Sequence, residues 1–229
     1  MIQNDREYLR FHRLEQAFRM QGSTQDSARL KGMMLEYDKR TGALERVGSW
    51  MPTYSGRRFW LLDPRPEDIE TKDIARGLSR LPRWLGATKG RPFLVAQHLV
   101  LCSYLVPAPY RLASLMHDAP EVYTGDLVSP IKHLVATLFK PIEHRIMLAI
   151  AKRYGFRWNE EVEAVVKQRA DIPMLLREAD DLLPHQVLRD RPMVKSATGI
   201  GDLLTPWTRR DAKRHFLNRL RELTGGKEG

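Results

Sequence analysis

Cysteine is almost absent from this chain of 229 residues, since Cys102 is the single one. One thiol cannot form an intramolecular disulfide, and it cannot build a thiolate metal cluster. Cys102 stands in the apolar segment 99–104, LVLCSY. We therefore expect it to be a buried helix residue rather than a reactive thiol.

Long apolar runs are also missing. No stretch approaches the roughly 18 apolar residues that a transmembrane helix needs. The first residues, MIQNDRE, lack the basic region followed by an apolar core that marks a secretory signal. These absences predict a soluble, cytoplasmic protein with no membrane partner.

Basic residues outnumber acidic ones, with 38 Lys and Arg against 28 Asp and Glu and a net charge of +10. This balance favours anionic partners such as nucleotides or nucleic acid. The densest basic groups, Arg209-Arg210 with Lys213-Arg214, are short and have no aromatic residues interleaved for base stacking. We interpret them as a solvated face, which makes nucleic acid an unlikely partner that charge alone does not exclude.

The spacing of apolar residues predicts helices almost throughout. An amphipathic helix is expected over residues 5–20, and its apolar stripe would suit a homodimer. Residues 43–62 are short, aromatic and punctuated by glycine, which favours loops or a small hairpin. Further helices are predicted over residues 69–81, 93–105, 110–117, 141–153, 159–170, 172–189 and 206–223.

Two histidines and two aspartates occur in the order H…HD…D. His117 and Asp118 are adjacent, His98 lies upstream and Asp180 downstream. Adjacent side chains leave a helix about 100° apart, so both reach one ion only near a helix end or between helices. Such a mixed nitrogen and oxygen set suits one divalent ion, Mn, Co, Zn, Fe or Ni, with Mg possible, and leaves coordination positions open.

The segment 117–132, HDAPEVYTGDLVSPIK, resembles the signature of the HD-domain metal-dependent phosphohydrolases, in particular the bacterial 5'-deoxyribonucleotidase branch. In that branch an HDxxE segment runs into a GDLxxPxK loop. Residues 95–98, VAQH, resemble the segment that carries the family's first metal histidine. Arg83-Trp84 matches an Arg-Trp pair before it. The resemblance covers roughly residues 57 to 190.

The resemblance implies an all-α fold, an HD-domain helical bundle over residues 57–195. A short extension over 1–56, a helix plus loops or a small hairpin, would precede this domain. A C-terminal loop and helix over 196–229 would pack on it.

Residue roles also follow from the resemblance. Metal binding is expected of His98, His117, Asp118 and Asp180. The family writes its last ligand as Ala-Asp, which favours Asp180 in Ala179-Asp180. Asp181 competes for this position but would point about 100° away on the same helix.

A divalent ion held by these ligands would lower the pKa of a water from near 16 toward about 7 and neutralise phosphoryl oxygens. Glu121 lies close enough to orient or deprotonate that water. The resemblance suggests that Asp126 and the loop to Ser129 contact the sugar or protonate the leaving oxygen. Arg83 would bind the phosphate. Trp84 would either contact the base of the nucleotide or pack against other side chains.

The leading hypothesis is hydrolysis of the phosphate monoester of a (deoxy)nucleoside 5'-monophosphate. One alternative is an HD hydrolase acting on a nucleoside triphosphate, a cyclic dinucleotide or an alarmone, which a longer basic groove would favour. Another is a non-catalytic, metal-containing helical module that binds nucleic acid with strong salt dependence. Gln97, where the family also has an acidic residue, puts in question how closely substrate preference follows the deoxyribonucleotidase branch.

Overall fold

The computed structural model describes residues 48–184 and 204–226, together with Arg29 and Arg46. Within these ranges the chain is mostly helical and contains one two-stranded sheet. The predicted all-α class is therefore confirmed. The amphipathic helix predicted over 5–20 and the predicted domain boundary at 195/196 lie outside the described residues.

The chain divides into two compact units, Met1–Pro64 and Arg65–Gly229. In the first unit, β1 (Trp50–Pro52) pairs antiparallel with β2 (Arg58–Trp60). This hairpin confirms the one predicted within 43–62. The predicted boundary at 56/57 would have cut through it, because β2 belongs to the N-terminal unit.

The second unit is helical. No helix in the described part of the chain combines the length and apolar character of a membrane span. Short 3₁₀ turns cover Pro66–Asp68, Arg83–Gly86 and Ala108–Tyr110. The α-helices are α1 (Thr71–Leu78), α2 (Val95–Leu105), α3 (Arg111–Met116), α4 (Glu121–Thr124), α5 (Ser129–Leu134), α6 (Ala136–Tyr154), α7 (Glu160–Val166), α8 (Ile172–Leu182) and α9 (Arg209–Thr224).

Helix α2 forms the centre of this unit. Every residue from Val95 to Ser103 is buried, and α2 contacts α1, α3, α8 and α9. A helix that is apolar all round gains most when neighbours cover every face. His98 and Gln97 are the large polar residues enclosed there, and both are fully buried.

Helices α7 and α8 join through one π-helical turn, Lys167–Asp171. The Asn159 side chain accepts a hydrogen bond from Val162 N and starts α7. A π turn holds an extra residue per turn and is frequent at functional sites. Here it ends at Asp171, where α8 begins.

The C-terminal helix α9 packs against α1, α2 and α3. It begins where Thr208 Oγ1 accepts a hydrogen bond from Asp211 N. Arg219 is buried and donates to the Ser103 side chain and carbonyl at 2.9 and 3.2 Å. The helix is thus fixed to α2 by polar contacts as well as apolar ones.

Several helix boundaries differ from those predicted. Helix α6 begins at Ala136, although Pro141 was expected to start it. Pro141 lies in the second turn of this helix, which continues through it despite the lost hydrogen bond and the crowding of the preceding turn. The predicted loop after Gly125 contains the short helix α5. Helix α8 ends at Leu182, before the predicted end at 189, and residues 185–189 lie outside the described ranges.

Helices α1 and α4 approach closely at Gly77. A Cβ atom at this position would lie 2.7 Å from Val122 Cγ1. We expect Gly77→Ala to lower the free energy of unfolding by about 1–3 kcal/mol, because the overpacking outweighs the better helix propensity of alanine. Urea unfolding measures this, with Lys72→Ala on the exposed side of α1 as the control. Equal stability of Gly77→Ala and the native chain would contradict the close approach.

Candidate metal and phosphate site

Two helices bring the histidines together. His98 lies in the middle of α2, and His117 follows the last residue of α3, which packs against α2. Their Nε2 atoms are 3.4 Å apart, and their rings meet edge to face with centroids 5.3 Å apart.

The other ring nitrogens face hydrogen-bond acceptors. His98 Nδ1 lies 2.6 Å from Glu178 Oε1, and His117 Nδ1 lies 2.7 Å from the Ser114 carbonyl oxygen. A carbonyl and an ionised carboxylate accept but cannot donate, so both Nδ1 atoms carry the proton. When each ring is neutral, its Nε2 lone pair faces the space between the rings and is available to a ligand there.

Two aspartates complete this space. His98 Nε2 lies 3.7 Å from Asp118 Oδ2 and 3.5 Å from Asp171 Oδ1. His117 Nε2 lies 3.5 and 3.8 Å from the same two oxygens. Ligand atoms about 2.1 Å from a shared ion are separated by about 3.0 Å at right angles and about 3.4 Å at tetrahedral angles. The measured distances between the histidine nitrogens and the aspartate oxygens therefore fit one divalent ion after a small contraction, and an octahedral arrangement would leave coordination positions for other ligands.

The structure places Asp171, not Asp180, beside the histidines, which corrects the predicted fourth ligand. Nine residues separate the two aspartates, which turns a helix by about 900° and puts them on opposite faces. Asp180 is accordingly exposed, and Asp181 pairs with Arg177 at 2.6 Å. The signal was present in the sequence, because Ala170-Asp171 is also an Ala-Asp pair.

Cys102 is buried, as predicted, and follows His98 by one helical turn. Its Sγ and the two histidines place ligand atoms within 4.8 Å of one another, close enough for the three to hold a metal ion. The thiol lies 3.4 Å from His98 Nε2 and 3.8 Å from Nδ1. Because it is nearly equidistant from both nitrogens, it lies against the ring rather than along the Nε2 lone pair. The sequence had not suggested this contact.

A cavity of about 470 Å³ opens on the two aspartates. All of the residues predicted to contact substrate line it. The lining comprises Arg83, Trp84, Leu85, Asp118, Glu121, Asp126, Leu127, Val128, Ser129, Pro130, Lys132, Asp171 and Leu175. The cavity thus joins charged groups at the candidate metal position to apolar side chains farther out.

Arg83 is held in place before any ligand binds. It is buried, its Nε donates to Glu178 Oε2 at 2.7 Å, and its Nη1 lies 3.5 Å from Asp118 Oδ2. Trp84 and Leu85 have left-handed backbones, with φ of 57° and 52°. Such a conformation is costly for bulky residues and needs support from its surroundings. The Trp84 indole N–H gives part of that support by donating to Glu178 Oε2 at 2.9 Å.

Glu121 and Lys132 separate this cavity from a second one of about 520 Å³. Lys132 Nζ donates to Glu121 Oε1 and lies equally far, 3.2 Å, from Glu143 Oε1. Both residues line the second cavity, as do Trp158, Glu160 and other residues of α6 and α7. This second cavity was not predicted from the sequence.

Burial and charge change the pKa of several groups here. Burial raises the pKa of Glu121 well above its usual range, aided by Asp118 and Asp126 and opposed by Lys132. Burial also raises the pKa of Asp126, against the effect of Arg83. The pKa of Asp171 is lowered well below its usual range despite its burial, because His117 and His98 beside it favour its ionised form. Glu121 and Asp126 therefore keep a proton up to a higher pH than exposed carboxyl groups do, whereas Asp171 remains ionised.

The position of Asp171 leads to a direct comparison of two variants. We expect Asp171→Asn to weaken Zn²⁺ binding more than tenfold, about 1.4 kcal/mol or more, since an anionic ligand is lost. Asp180→Asn is the matched control and should bind Zn²⁺ like the native chain. Isothermal titration calorimetry measures both affinities. Loss of affinity in Asp180→Asn alone would restore the original assignment.

Zinc affinity should also depend on pH. Burial and Arg83 lower the pKa of His98, but Cys102, Glu178 and Asp171 raise it, and the net shift is strongly upward. The pKa of His117 also rises, since Asp118 and Asp171 outweigh its burial. Protons therefore compete with the ion up to a higher pH than for an ordinary imidazole. We expect Zn²⁺ affinity to increase between about pH 6 and 8 in a chelator-competition titration, and a constant affinity would contradict this.

Comparison with known proteins places the chain among uncharacterized relatives. No protein-family model matches it. An uncharacterized protein of Rhodobacter capsulatus is 39% identical over 115 residues, which cover 47% of this chain and 59% of that protein. The uncharacterized protein YfdR of Escherichia coli is 37% identical over 134 residues, which cover 58% of this chain and 72% of YfdR. On this similarity, the chain belongs to the YfdR family.

Proposed function

We propose that the protein is a metal-dependent phosphohydrolase of the HD-domain type that hydrolyses the phosphate monoester of a (deoxy)nucleoside 5'-monophosphate. The observation that carries the proposal is the convergence of His98, His117, Asp118 and Asp171 at one end of a cavity lined by Arg83 and Glu121. A divalent ion held by these four residues supplies Lewis-acid chemistry, since it neutralises phosphoryl oxygens and acidifies water.

Arg83 binds the phosphate in this proposal. Its Nε is occupied by Glu178, and its Nη1 lies 3.5 Å from Asp118 Oδ2, so phosphoryl oxygens would bind the guanidinium at its Nη atoms beside the candidate metal position. A planar guanidinium binds such oxygens in a bidentate manner that lysine cannot reproduce. The apolar side chains of Trp84, Leu127 and Val128 line the same cavity and accommodate the nucleoside.

Glu121 accepts a proton from the attacking water. Its Oε2 is buried and has no hydrogen-bond partner among the residues that the structure describes. A carboxylate whose pKa is raised by burial is a better base near neutral pH than an exposed one. Asp126, whose pKa is also raised, donates a proton to the leaving oxygen.

The charges of the cavity favour a single phosphate over several. Among the described lining residues, Arg83 and Lys132 are the cations, and both already contact carboxylates. The second cavity adds Lys140 but also Glu143, Glu160 and Glu163. Triphosphates and cyclic dinucleotides would place further negative charge beside these acids. We therefore rank them below nucleoside monophosphates.

Phosphate release from a panel of ribonucleoside and deoxyribonucleoside 5'-monophosphates, with Mn²⁺, Co²⁺, Zn²⁺ or Mg²⁺, tests the proposal. We expect metal-dependent release by the native protein. Asp118→Ala should lose both metal and activity. Glu121→Ala should keep the metal and lose about 10²–10⁴-fold in rate, as for removal of a general base.

The control variant is Glu161→Gln, an exposed residue of α7 that bonds the Tyr110 hydroxyl. It should retain native activity. No release from any monophosphate, although metal binds, would disprove monoesterase activity. The same panel extended to triphosphates, alarmones and cyclic dinucleotides would then identify the alternative substrate class.

A further inference from the structure

We infer that Glu178 is a positioning residue that joins the metal histidine His98 to the phosphate-binding Arg83 in one buried unit. This inference rests on the proposed function for the roles of these two partners. Glu178 had no predicted role, although it lies two positions before Asp180.

Glu178 is fully buried and accepts three hydrogen bonds. Its Oε1 lies 2.6 Å from His98 Nδ1, and its Oε2 accepts from Arg83 Nε at 2.7 Å and from Trp84 Nε1 at 2.9 Å. Three donors in short contact make Glu178 an ionised acceptor in an otherwise apolar interior.

The bond to His98 sets the tautomer of that ring. Because Glu178 accepts the Nδ1 proton, Nε2 is left with its lone pair toward His117, Asp118 and Asp171. A carboxylate behind a metal-ligating histidine also fixes the ring orientation and raises its basicity. Glu178 thus sets which nitrogen of His98 is available to a metal ion.

The two bonds to Oε2 fix the phosphate side of the cavity. They hold Arg83 by its Nε edge and Trp84 by its indole N–H. Trp84 keeps the left-handed backbone that an isolated chain would avoid. The same carboxylate therefore positions both His98, which would bind the metal ion, and Arg83, which would bind the phosphate.

Asp171 and Glu178 are seven residues apart, which is about 20° short of two helical turns. They therefore share one face of the helix, and both contact His98, Asp171 at Nε2 and Glu178 at Nδ1. One imidazole is thus held at both nitrogens by the same helix. This arrangement distinguishes Glu178 from a carboxylate that merely neutralises a buried arginine.

Glu178→Gln tests the inference because it keeps the shape and removes one acceptor. If the amide oxygen stays with Arg83 and Trp84, the amide NH₂ faces His98, the ring proton moves to Nε2, and metal binding fails. We expect Zn²⁺ affinity to fall about 10–100-fold. The visible spectrum of the Co²⁺-loaded protein should change as well, and KM for the monophosphate should rise.

The reverse amide orientation would keep Zn²⁺ affinity and instead weaken binding of inorganic phosphate to the Zn²⁺-loaded protein, which also supports the inference. Native values for Zn²⁺ affinity, Co²⁺ spectrum and phosphate affinity would overturn it, even if stability fell. The matched control is Glu222→Gln, which removes a carboxylate from the buried Arg219 at 2.8 Å, away from the cavity.

If Glu178→Gln does not fold, the tautomer of His98 in the native Zn²⁺-loaded protein decides. Histidine-labelled NMR should show the proton on Nδ1 of His98, and a proton on Nε2 would overturn the inference. These readouts require no turnover. An inactive native protein would therefore refute the proposed function while leaving the role of Glu178 open to its own test.

Discussion

The rest of the site depends on the burial of His98 within α2. A polar ring enclosed on every side by apolar neighbours is stable only if its nitrogens find partners. Glu178 and Asp171 provide them from one helix, and His117 and Asp118 from the end of α3. Because the nitrogens of this buried ring need polar partners, the groups that could hold an ion lie together around it.

The charged side chains around the candidate metal position form a cluster with more acidic than basic groups. Its carboxylates outnumber its permanent cations, Arg83 and Lys132, so the cluster attracts protons or a metal ion. The upward pKa shifts of both histidines express the same imbalance. A divalent cation is a natural counter-charge, and it would displace those protons. The carboxylates are Asp118, Glu121, Asp126, Asp171 and Glu178.

The sequence predicted well those features that are local. The helical class and the hairpin were recognised from spacing, and His98 was brought to His117 as the motif implied. The prediction of Asp180 as a metal ligand was wrong because choosing between two Ala-Asp pairs requires knowing on which face of the helix each aspartate lies. The π turn helps to set that face. Glu178 was missed for a similar reason, because the sequence alone does not distinguish a buried glutamate from an exposed one.

The wall shared by the two cavities has a further consequence. Glu121 and Lys132 line both, so a ligand in either cavity alters the environment of the same ion pair. Binding equilibria that act on one common element are linked, and the linkage is reciprocal. A small molecule bound beside Trp158 would thus change the affinity of the first cavity for its own ligand.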